Sequence, residues 1–121
     1  MTRRDVRVAT IIKLFQKDYN LDIEIEVIGE AGKLFLEILS KLDPIDNVIE
    51  KSLENYSLNR LSYLDRAIIR FATYEMLYTD TPKQIIINEA IEITKEYSDI
   101  DDKQRRFNNR LLDNIKKHIG D

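Results

Sequence analysis

The chain has 121 residues, a formal net charge of −3, 43% apolar and 34% charged residues, three Gly, two Pro and no Cys. This excludes the disordered, collagenous and membrane classes and predicts one helical domain over residues 1–121, large enough to bury a core of its own. Without cysteine there is neither a disulfide framework nor a thiolate metal site, so a reducing cytoplasm is the expected compartment. The arginine-rich start does not read as a secretory signal, and no run of about 18 uncharged apolar residues exists to span a membrane.

In chain order, the spacing of Val8, Ile11, Ile12 and Phe15 predicts a first helix from about Arg4 to Asp18. Residues 21–28, LDIEIEVI, alternate with the period of a strand, but a lone strand has no partner in this sequence, so the segment is expected to be an ordered linker or a short helix. Leu34, Phe35, Ile38, Leu39 and Leu42 predict a second helix from Ala31 to Leu42. Asp43 is expected to cap a third helix with Pro44 at its first position, running to about Tyr56. Ser62 with Asp65 resembles a capping box opening a fourth helix that ends near Tyr78. Its apolar residues cover nearly the whole circumference, as in a helix surrounded by others. A fifth helix carries Ile86, Ala90, Ile93 and Tyr97, and a sixth carries Phe107, Leu111, Leu112 and Ile115. The expected fold is all-α, a compact bundle of five to six helices.

The charge is unevenly distributed. Residues 1–17 hold five Lys/Arg and one acid, residues 103–118 hold six and one, and residues 18–102 hold eight against nineteen. If the two basic ends meet they form one positive patch, the footprint of a phosphate-binding surface; otherwise they are two solvated helix faces. Arg3, Arg4 and Arg7 stand at a helix start, where the macrodipole disfavours cations, so local helix stability does not explain them.

Material for catalysis is poor. The single histidine, His118, falls at the end of the last helix. The three glycines form no phosphate-cradling loop, and the acidic pairs lack calcium-site spacing. The expectation is no enzyme, no cofactor and no metal.

The stretch RLSYLDRAIIRFATYEMLYTDTPKQIIINEAIEITKEYSDIDDKQRRFNNRLLD, residues 60–113, resembles the C-terminal half of the NusB family of transcription antitermination factors. The motifs are RLSxLDRAIIR, YE, a TP turn, INEAIEI and a closing FxNxxLD. The opening RRDVRVATIIKLFQ is similar to the family's RRxxRxxxxxxLYQ. The resemblance implies two packed helical subdomains, no catalysis, and binding of single-stranded boxA-type RNA with the ribosomal protein NusE in a transcription elongation complex. It implies that Arg3, Arg4 and Arg7 line the RNA surface, that Phe15 stands where the family has a stacking Tyr, and that Lys103, Arg105 and Arg106 contribute beside Phe107, itself either near RNA or in the core. Asp65 is implied to face the protein partner, unless it serves only the cap. Asn88, Glu89 and Asn109 match family positions and are read as satisfied core polar groups, with Arg70 as a partner for Glu89 or Glu75. Arg110 stands at a usual Gly, and residues 19–56 are shorter than usual, which implies a reduced second helix. The alternative function is a helical adapter that keeps the NusE surface without specific RNA binding.

Overall fold

A computed structural model describes residues 1–120. The residue before the first helix decides where α1, Arg3–Tyr19, begins. The Thr2 hydroxyl accepts from the Asp5 amide at 3.1 Å, and the Asp5 carboxylate accepts from the Thr2 amide at 3.0 Å, a complete capping box. Those bonds hold the Asp5 carboxyl below its ordinary range. The alternating segment forms no strand. Residues 20–28 are an extended linker tied to α1: Lys17 Nζ donates to the carbonyls of Leu21 and Ile23, and Lys13 Nζ to that of Glu26.

Gly29, at φ +72°, turns the chain into α2, Gly29–Ser40, and Gly32 lets the linker cross closely. A Cβ at Gly32 would stand 2.2 Å from the Val27 carbonyl carbon, so only glycine fits. The second helix is present, with Phe35 and Ile38 buried. Helix α3 spans Leu42–Ser52, starting earlier and stopping sooner than expected. Lys41, not Asp43, is its cap residue, and Pro44 sits third in the helix. A proline is harmless there because first-turn amides have no intrahelical acceptor. The chain leaves α3 through Asn55, which has positive φ, and a 3₁₀ turn at Leu58–Arg60.

Helix α4, Tyr63–Tyr78, has eleven of its residues buried, and α1, α3, α5 and α6 all pack against it. Ser62 caps it through the Asp65 amide, but the expected capping box is only half formed, because the Asp65 carboxylate does not return to the Ser62 amide. Helices α5, Lys83–Tyr97, and α6, Asp102–Ile119, complete an all-helical fold of six α-helices without a strand among the described residues. Two groups are seated on α4: α1 with α2, and the succession α3, α6, α5. Asp18, Arg66, Arg70 and Asp46 form a charged network joining α1, α4 and α3, with Arg70 bidentate to Asp46 at 2.9 and 2.8 Å.

Candidate nucleic-acid interface

The α1 arginines are each engaged within the chain. Arg7 is buried and bidentate to buried Glu75, Nε to Oε1 at 2.8 Å and a terminal nitrogen to Oε2 at 3.0 Å. Glu75 thereby raises the Arg7 pKa further. This corrects the expectation that Arg7 faces RNA. The same pair also corrects the partners expected for Arg70, which turns to Asp46 because Glu75 and Glu89 are already taken. Arg4 pairs with Glu89 at 2.9 Å, and Arg3 pairs with Glu30 on α2. Both arginines remain exposed, so these pairs are weak and exchangeable.

The two basic ends do not merge into one patch. Arg4 meets α5 through Glu89, and Glu92 and Glu96 on the same stripe also raise its pKa. The α6 side meets α5 elsewhere: Arg105, Arg106 and Asn109 share a cleft with Ile91, Thr94 and Lys95. At 100° per residue these two stripes lie on opposite flanks of the buried face of α5, so that helix separates the basic segments.

Helix α6 is therefore the richer cationic surface. Asp101 caps it, accepting from the Gln104 amide at 2.8 Å, and Arg105 pairs with Asp102 at 2.8 Å. Lys103, Arg106 and Arg110 are exposed and have no ion-pair partner among the described residues. Phe107 is half-buried, its ring 4.7 Å from that of Tyr56, so it belongs partly to the packing and partly to the surface.

Phe15 stands apart from Phe107. It lines an apolar groove with Val8, Ile12, Leu64 and Tyr97, its ring stacked 6.0 Å from Tyr19. Asp65 is 1% exposed and accepts a 2.7 Å bond from the Ser98 hydroxyl, so it presents no acid to a partner. Its carboxylate ties the start of α4 to the end of α5. Asn88 and Asn109 are both exposed, which corrects their reading as core groups; Asn88 merely accepts from Gln84. The buried amide is Asn108, bonded to Gln104 at 3.0 Å. The sequence carried that signal, since Asn108 shares the stripe of Leu111, Leu112 and Ile115. Glu89 is half-buried and serves Arg4.

The model of the NusB family matches residues 6–117. The chain belongs to the NusB family. It is 39% identical to the Bacillus subtilis transcription antitermination protein NusB, covering 98% of each chain. The corresponding protein of Staphylococcus epidermidis strain RP62A is 36% identical over 95% of this chain and 98% of its own. A crystal form of T. maritima NusB superposes with a TM-score of 0.82 at 36% identity, covering 97% of this chain and 92% of that one. Against the NusB pattern, the Arg7–Glu75 pair joins the opening arginine motif to the YE motif, so the two stretches that carry the resemblance are physically bonded to one another.

Proposed function

We propose that the protein is a transcription antitermination factor that binds boxA-type single-stranded RNA together with the ribosomal protein NusE, within a cytoplasmic transcription elongation complex. The observation that carries the RNA reading is the set of free cations Lys103, Arg106 and Arg110 around half-exposed Phe107, on a chain whose net charge is −3. Free guanidinium groups bind phosphate in bidentate fashion, and an aromatic ring among them offers a stacking face. Arg105 adds to this surface, and Arg3 and Arg4 contribute by exchanging weak exposed carboxylate contacts for phosphate. The names of the B. subtilis and S. epidermidis relatives support the antitermination role.

The test is a titration of labelled boxA-like RNA with the protein alone and with NusE, at two salt concentrations, against a scrambled RNA. The expected result is tighter binding of the boxA-like RNA, strengthened by NusE, with log affinity falling linearly with log salt. Equal affinity for the scrambled RNA, or no binding at low salt, overturns the RNA reading. The adapter alternative then takes its place, supported by the apolar groove of Val8, Ile12, Phe15, Leu64 and Tyr97, which offers a surface for a protein partner.

A further inference from the structure

Residues 23–28, IEIEVI, keep the alternation of a strand in three dimensions although no strand lies beside them. Ile23 and Ile25 are half-buried, with Ile25 packed on the core, whereas Glu24 and Glu26 are exposed. The backbone is still extended at Ile28, with φ −91° and ψ 156°. The segment is also held in place. Lys13 and Lys17 on α1 take the carbonyls of Leu21, Ile23 and Glu26, and the Val27 backbone lies against Gly32 on α2.

That grip uses carbonyls alone. The amides of Glu24, Ile25, Glu26, Val27 and Ile28 have no acceptor among the described residues, and the carbonyls of Glu24, Ile25 and Val27 have no donor. A row of unpaired backbone groups on an extended chain is a template for another strand, which proteins commonly blunt with Lys or Pro. Residues 19–32 contain no Lys, Arg or Pro. Val27 and Ile28, at the end of the row, are 44% and 71% exposed, apolar surface that a neighbouring strand would cover.

We infer that residues 23–28 are a docking edge for an extended segment of a protein partner, which adds as a β-strand and carries Lys or Arg at alternate positions opposite Glu24 and Glu26. The inference goes beyond the RNA reading and stands without it. Charge selects the occupant. Opposite charges facing one another across paired strands stabilise the pair, and like charges destabilise it. A second copy of this chain would set acid against acid, and the same carboxylates repel the phosphates of RNA. Main-chain hydrogen bonds supply affinity in this mode of recognition, and the alternate side chains choose the partner. Because α1 already fixes the path of the segment, little ordering entropy is lost when the partner strand arrives.

The experiment titrates the full chain with a labelled peptide of about six residues, a usual strand length, that alternates lysine with valine. Three comparison peptides carry the same residues without the alternation, the same sequence with its amides N-methylated, and glutamate in place of lysine. The parent should bind the first peptide at least about tenfold more tightly than each of the others, since each loses several ladder bonds or charge pairs together. Hydrogen exchange of the amides of residues 24–28 should slow with the first peptide only. Glu24→Lys with Glu26→Lys, two exposed changes, should reverse the choice, losing the lysine peptide and gaining the glutamate one. Equal binding of the N-methylated or the non-alternating peptide reduces the contact to charge alone and overturns the inference. Slowed exchange elsewhere in the chain, with none at 24–28, overturns it too. Protection of these amides in a dimer without peptide assigns the edge to a second copy, and protection by single-stranded RNA assigns it to RNA; either result overturns the basic partner. The peptide comparison uses the parent alone, so it decides the matter even if the double variant fails to fold.

Discussion

Replacing Arg7 by Ala would leave the buried Glu75 carboxyl without its partner, with only 3% of its side chain exposed. Removing one member of a buried pair costs about 3 to 5 kcal/mol, because the remaining charge has neither water nor counter-ion. Against a domain stability of about 5 to 15 kcal/mol that is a large fraction. At about 4 °C per kcal/mol for a domain of this size, the thermal midpoint should fall by about 12 to 20 °C. The double variant Arg7→Met with Glu75→Leu removes both charges and keeps the volume, so it should recover most of the loss, as apolar replacements of buried pairs do. Circular dichroism melts of the parent, both single variants and the double variant complete a cycle that isolates the coupling. If Arg7→Ala melts with the parent and binds RNA more weakly, Arg7 is an RNA contact and the buried pair is not its role.

Phe71, 3% exposed on α4, should cost about 3 to 5 kcal/mol when replaced by Ala, and an unchanged midpoint would contradict its place in the core. Tyr74 is 4% exposed; burial first, and the bond to Glu37 second, push its hydroxyl pKa well up. A group whose pKa is raised on folding contributes stability that is complete below its unfolded value, about 10 for tyrosine, and is lost as pH rises above it. The parent's midpoint should therefore drop above that pH more steeply than that of Tyr74→Phe, and parallel curves would refute the assignment. Lys103→Ala with Arg106→Ala should lower the slope of log affinity against log salt by about 0.7 per contact at an unchanged melting temperature. An unchanged slope would remove these two cations from the interface.

The helices were legible because their signals are local. The all-round apolar pattern of α4 marked it as the central helix, and Ser62 fixed its start. The linker was legible by elimination, since its strand pattern had no partner. What escaped is mostly long-range. Arg7 and Glu75 are 68 positions apart, Arg4 and Glu89 are 85 apart, and no spacing rule connects them. An arginine row at a helix start looks alike whether its partners are phosphates or distant carboxylates. The Ser62 half of the expected capping box formed, but the Asp65 carboxylate that should complete it goes to Ser98, 33 positions on, which only the packing of α5 beside α4 brings near. Asn88 and Asn109 were misplaced for a different reason. Their offsets from the buried stripes of α5 and α6 point outward, and the periodicity that located Leu111 and Leu112 was enough to exclude them.

The linker between α1 and α2 owes its course to Lys13 and Lys17, whose ammonium groups grip the carbonyls of Leu21, Ile23 and Glu26. A carbonyl belongs to the backbone and survives any side-chain replacement, so the path of residues 21–26 is written largely in α1, with Ile25 the linker's own anchor on the core. Drift can thus rewrite the exposed linker side chains, with Ile25 kept apolar by its packing against the core, while the two lysines carry the constraint on the backbone. Acetylating either one would neutralise the grip and free a segment whose own sequence would be untouched.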